Sequence, residues 1–171
     1  MAPGPAVGGG GYGAPMSVPE VIPIAYEPDY RTSTIGRWDG GQFLASVTAA
    51  FPEGLDAGDD WREHKRWYAV LHRFDEAGGH LESSIVSTGT TAEGERRAVE
   101  AARRLLDGRL EALPGRRYGS IAVAPFAVRC EGALFGLVVE AHAEDGGEPD
   151  WAELYPDGLG FSAPWDGLYD T

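Results

Sequence analysis

Apolar and polar positions alternate over short runs of this chain, and the runs come in pairs separated by turn residues. In the run 42–51, Phe43, Ala45, Val47, Ala49 and Phe51 fall on one face, and Asp39-Gly40-Gly41 joins it to the run 31–38. An Asp-Gly pair between two strand-like runs predicts a hairpin, because tight turns need backbone that glycine adopts without strain. The runs KRWYAVLHRF (65–74) and LESSIVST (81–88) flank the turn DEAGGH and predict a second hairpin. A third is predicted from 120–129 and 133–141 around Cys130-Glu131-Gly132, with Pro125 marking an edge strand or a bulge.

Between the second and third pairs the period changes. Val99, Ala102, Leu106, Leu110 and Leu113 recur on one helical stripe. Thr90-Thr91-Ala92-Glu93 reads as a capping box, and Pro114-Gly115 as the stop. On the outer side, Glu93–Arg97 and Glu100–Arg104 stand in the favoured acid-before-base order, which predicts a salt-bridged solvent face. The prediction is an α+β fold: a single domain over 17–171, a mainly antiparallel sheet of about five to six strands in three hairpins, and one long helix on one face. Prolines at 19, 23 and 28 make 18–28 an extended segment along the domain or a sheet edge. Residues 1–16, uncharged and rich in Gly and Pro, are expected to be a disordered tail, with Met16 as the true start.

Two strands break the alternation. Trp67, Ala69 and Leu71 on one face of 65–74 oppose Tyr68, Val70 and Phe74 on the other, and 133–141 is apolar on both faces as well. Such strands are central and covered twice. One helix covers one face only, so the aromatic end DWAELYPDGLGFSAPWDGLYDT (150–171) is the first candidate for the other cover, 18–28 the second, and a partner subunit the third. The tail sets Trp151, Tyr155, Phe161, Trp165 and Tyr169 among acids that include Asp166, with no lysine or arginine. If it does not fold back, it is an interaction surface, and these six residues are its candidate partner contacts.

Composition narrows the chemistry. The net charge of −13 argues against nucleic acid, which needs clustered cations, and suits a basic protein partner. No run approaches the roughly 20 apolar residues of a membrane span, and no signal peptide is present, so a cytoplasmic protein is expected. The single cysteine, Cys130, excludes an internal disulfide and reads as a structural thiol. His64, His72, His80 and His142 show no metal-ligand spacing, although His72 and His80 flank one hairpin turn. The acidic loop with Asp56, Asp59, Asp60 and Glu63 lacks the offsets of a calcium loop. Ser83, Ser84, Ser120 and Ser162 lie outside any nucleophile elbow. No catalytic residue, metal or cofactor is therefore expected. Arg116 and Arg117 beside Tyr118 remain as candidate anion contacts, for an acidic partner or for the acidic tail.

The peptides VPEVIPIAYEPDYRTSTIGRW, HKRWYAVLHRFD and the tail 150–171 resemble a family of small actinobacterial proteins labelled formate hydrogenlyase regulatory protein. The resemblance covers most of 17–171. It implies a small soluble protein that regulates by protein contact, and it carries over no site residues. The leading expectation is a non-catalytic regulatory or protein-binding domain, as a monomer or a homo-oligomer. The alternatives are an immunity-type inhibitor of a basic toxin and a small-ligand-binding domain.

Overall fold

The computed structural model describes residues 18–56, 58–140 and 150–171. The expectations for 1–16, with its start at Met16, and for His142 fall outside them. In chain order the elements are β1 (Ile22–Ile24), β2 (Ile35–Trp38), β3 (Gly41–Ala50), α1 (Trp61–His64), β4 (Arg66–Phe74), β5 (His80–Thr90) and α2 (Thr91–Glu111). β6 (Arg117–Tyr118), β7 (Ile121–Val123), β8 (Phe126–Cys130), β9 (Ala133–Glu140), β10 (Trp151–Tyr155) and β11 (Leu159–Phe161) follow.

The fold is α+β, with every strand pair antiparallel. The predicted single sheet divides into three: β5-β4-β3-β2-β6, β11-β10-β9-β8, and the pair β1-β7. Pro125 is the reason for one division. It has no N–H to give to a ladder, so the predicted strand 120–129 splits into β7, which pairs with β1, and β8, which pairs with β9. The first two hairpins form around the expected turns, although β2 takes only 35–38 of the expected run 31–38 and Phe51 lies beyond the end of β3, exposed; β4 and β9 are interior strands of their sheets.

Three layers result. α2 covers one face of the five-stranded sheet, burying Ala102, Leu106, Leu110 and Leu113 against Phe43, Ala45, Ala69 and Leu71. The opposite face meets the second sheet through Tyr68, Val70, Ala133 and Phe135. It also joins a large cluster in which Leu44 and Phe74 meet Ile22, Ile24, Leu137, Leu154, Phe161 and Trp165. The aromatic end thus folds back, together with the 18–28 segment. It does so as two strands that extend the second sheet from β9, rather than as a coil laid over it. Each large side chain buried here contributes roughly 1.5–3 kcal/mol.

Local chemistry places these elements. Thr90 caps α2: its Oγ1 accepts from the Glu93 N–H at 3.2 Å, and Glu93 Oε1 accepts from the Thr90 N–H at 3.3 Å. Gly94 then leaves helical geometry at φ 129°, so the capped turn is offset from the rest of the helix. Because Glu93 turns back to the cap, the expected Glu93–Arg97 pair does not form. Along α2 the i,i+4 pair that forms is Arg96–Glu100, at 3.2 Å, in place of Glu100–Arg104.

Candidate functional site

The six aromatic and acidic tail residues all have partners inside the molecule. Phe161 and Trp165 are core residues. Trp151 Nε1 donates to Glu140 Oε2 at 3.3 Å, and the Tyr155 hydroxyl donates to Glu140 Oε1 at 3.1 Å. Hydrogen bonding to Glu153, burial and Glu140 push the Tyr155 phenol above its ordinary range. Tyr169 packs edge-on to Phe161 at 6.3 Å, and Asp166 Oδ1 accepts from the Leu168 N–H within its own turn. Arg116 lies over the Tyr118 ring at 5.7 Å and Arg117 sits on the edge strand β6, opposite Arg37; neither forms an ion pair with the tail.

A different feature stands out as a site. β2 pairs with β3 only as far as Ile35↔Leu44, and one further bond runs from the Ala45 N–H to the Thr34 carbonyl at 2.9 Å. The preceding chain then curls away through bonds from Tyr30 N–H to Glu27 O and from Ser33 N–H to Tyr30 O, both 3.2 Å. The far half of β3 is left open on that side, and a cleft of about 660 Å³ lies along it. Arg31, Ser33 and Thr34 form one wall, with Tyr30 at its rim; Val47, Thr48 and Ala49 form the floor. Lys65 and Trp67 close one end. Arg103, Leu106 and Asp107 of α2 overhang one face, and Pro156 and Asp157 of the β10–β11 turn overhang the other.

The cleft's polarity runs against that of the whole molecule. It is lined by three of the chain's 14 Lys and Arg residues and only two of its 27 Asp and Glu residues. Arg31 and Arg103 are exposed and belong to no ion pair among the described residues. Lys65 reaches Glu95 at 3.9 Å and lies over the rings of Trp67 and Trp61 at 5.1 and 5.8 Å. Thr48 Oγ1 donates to Asp157 Oδ1 at 2.5 Å and ties the C-terminal turn to the floor. Burial raises the Asp157 carboxyl above its ordinary range, against the pull of that hydrogen bond and of Arg31. Such a surface attracts anionic groups, and its volume falls in the range of about 300–1,000 Å³ typical of ligand pockets.

A second constellation, also missed in the sequence, centres on Ser83. His72 Nδ1 lies 2.6 Å and His80 Nε2 2.7 Å from its Oγ. The β4–β5 register, His72↔Ser83 and Phe74↔His80, assembles it, and the Phe126 ring stacks on His80 at 4.7 Å. A hydroxyl donates once, so one of the two imidazoles must present an N–H to it. Burial, then His80, holds His72 down at about 3. His72 is 1% exposed and does not line the cleft, whereas Ser83 is half-buried and His80 exposed, so the cluster runs from between the sheets out to the surface. Cys130 is half-buried, with its thiol pushed up by burial and by Glu131, as expected of a structural cysteine. Among the described residues no group of three or more His, Cys, Asp or Glu side chains could hold a metal ion, and no helix is long and apolar enough to cross a membrane.

Neither arginine of the cleft belongs to a recognisable motif. Arg31 precedes a strand by four residues and Arg103 sits in a helix that already reads as salt-bridged. Only the pairing register, with β2 ending early, brings them to one strand edge. Comparison with protein-family models, with curated proteins and with solved structures finds no match for this chain.

Proposed function

We propose that this protein is a non-catalytic binding domain of regulatory type, and that its recognition site is the cleft along β3 rather than the aromatic tail. The observation that carries this reading is the open strand edge with Arg31, Lys65 and Arg103 gathered round it in a molecule of net charge −13. Nine of the chain's 14 Lys and Arg residues form no ion pair among the described residues, so the cleft is marked by three cations gathered at an open strand edge with only two acids in the lining. The resemblance to formate hydrogenlyase regulatory proteins implies the same class of role, regulation through contact with another macromolecule.

The reading is tested by affinity capture from lysate of the source cells with the full chain, an Arg31→Glu/Arg103→Glu variant and a Trp151→Ala variant. A specific partner lost by the charge-reversed protein and kept by Trp151→Ala supports the cleft. The opposite pattern returns the site to the tail, and a partner kept by both variants overturns the reading. Both arginines are exposed, so reversal should leave cooperative unfolding intact. A second reading, an immunity-type inhibitor of a basic toxin, draws on the acidic surface as a whole. Capture of a basic partner that weakens steeply with salt and ignores Arg31 and Arg103 would select it.

A further inference from the structure

We propose that the occupant of the cleft is an acidic, extended segment of another protein, which adds to β3 as a further strand. This rests on the cleft being the recognition site and specifies how it recognises. In an antiparallel ladder each residue turns its N–H and C=O to the same side, and successive residues alternate sides. The Ala45 N–H donates away from β4, to Thr34. Val47 and Ala49 therefore point their N–H and C=O groups the same way, into the cleft. β2 has ended by that point, and among the described residues no backbone bond closes them. Two consecutive outward-facing residues of a strand are thus unpaired and wet, which is a template for an added strand.

The walls select the occupant. A strand laid on this edge sends alternate side chains toward α2, where Arg103 stands, and toward the Pro156–Asp157 turn, on the side where Arg31 lies within electrostatic reach of Asp157. Acidic residues on such a strand meet Arg31 and Arg103, neither of which forms an ion pair among the described residues. A second copy of this chain fits badly. Its own β3 edge is sunk in the same recess between α2 and the turn, so two recessed edges cannot meet, and each molecule carries −13. A narrow segment enters where a folded domain does not.

The test is an NMR titration of the full-length, ¹⁵N-labelled protein, with amide exchange measured in parallel. The probes are the capped peptide Ac-Glu-Val-Glu-Val-Glu-NH₂, its Lys-Val counterpart, the acidic peptide N-methylated at alternate amides, and N-acetylglutamate. In the free protein the Val47 and Ala49 amides should exchange at least tenfold faster than those of Ser46 and Thr48. The acidic peptide should shift the Val47 and Ala49 resonances and slow their exchange at least tenfold. The lysine and N-methylated peptides should do neither, and Arg31→Glu/Arg103→Glu should weaken binding at least tenfold. Equal binding of the N-methylated peptide, protection of Val47 and Ala49 already in the free protein, or no shift at millimolar acidic peptide would each overturn strand addition. If N-acetylglutamate shifts the cleft as strongly as the peptide without protecting those amides, strand addition falls while the cleft stands as an anion-binding site.

Discussion

The side chain of Gln42 pairs with the backbone of Ala122 as a strand would. Its Oε1 accepts the Ala122 N–H at 2.8 Å and its Nε2 donates to the Ala122 carbonyl at 3.0 Å, across 80 residues of sequence. Nε2 also donates to the Glu76 carbonyl at 3.2 Å, and Gln42 is 1% exposed. This lone glutamine of the chain stitches β7 to the five-stranded sheet.

Gln42→Glu keeps the shape but turns a carboxylate oxygen on the Ala122 and Glu76 carbonyls. The cost at pH 7 is expected to exceed about 2 kcal/mol, as for a buried charge with one donor, the Ala122 N–H, and two carbonyls facing its other oxygen. Gln42→Leu is expected to cost about 1–3 kcal/mol through the unpaired N–H of Ala122. Urea unfolding measures both. The Glu variant alone should recover toward wild type as pH falls, since protonation restores a donor; a pH-independent deficit would refute the assignment.

His72 and Asp157 make pH dependences of opposite sign. His72 is neutral in the fold, with its pKa lowered from 6.5 to about 3. Between those values the unfolded chain binds the extra proton, so stability falls as pH drops through that window, by at most about 1.4 kcal/mol per pH unit. His72→Gln should flatten that slope in urea titrations from pH 7 to pH 4. Asp157 is raised above 3.8, so its charge costs stability at pH values above its native pKa, and that cost fades as pH falls. Asp157→Asn keeps the acceptor for Thr48 and is expected to match or exceed the wild-type Tm at pH 7, with the advantage shrinking toward pH 4. A variant less stable at pH 7 than at pH 4, relative to wild type, would contradict this.

Helix propensity and structure disagree at Gly94. On propensity, Gly94→Ala in a helix should stabilise by up to about 1 kcal/mol. The residue has φ 129°, where an L side chain is strained whatever the space around it. The substitution is expected to destabilise by about 1 kcal/mol or more. Thr90→Ala, which removes the cap, should cost about 0.5–2 kcal/mol. Thermal unfolding of the two variants checks both signs, and a gain from Gly94→Ala would show that the helix runs straight through.

The C-terminal strands are structural. Phe161→Ala is expected to cost about 3–5 kcal/mol, as for a fully buried aromatic, whereas Leu168→Ala, at 58% exposure, should change stability by less than about 0.5 kcal/mol. A chain ending at Glu148 loses β10 and β11, the outer neighbours of β9, and with them Leu154, Leu159, Phe161 and Trp165 from the core. It should show no cooperative transition by circular dichroism. A sharp one would make the tail dispensable.

Much of this fold was legible in the chain. The Asp39-Gly40-Gly41 turn, the Thr90–Glu93 box, the helical stripe and the double-faced strand 65–74 are signals carried by neighbours in sequence, and the structure has each of them, with Ala98 rather than Val99 as the buried residue that begins the stripe. Pro125 signals an edge or a bulge, and in the structure it stands between β7, which pairs with β1, and β8, which pairs with β9. The site was not legible. Cations at 31, 65 and 103 have no spacing that marks them, and the shared hydroxyl of Ser83 needs a strand register to bring His72 and His80 to it.

The sequence by itself determined the elements and the demand that the second face of β4 be covered, because period and turn chemistry act within a few residues. Only the tertiary structure decided that the third hairpin, β8–β9, answers that demand, with the aromatic tail extending the same sheet as two strands, and that β2 ends before β3 does. Those outcomes depend on which distant surfaces meet and where a ladder stops, and no local pattern encodes either.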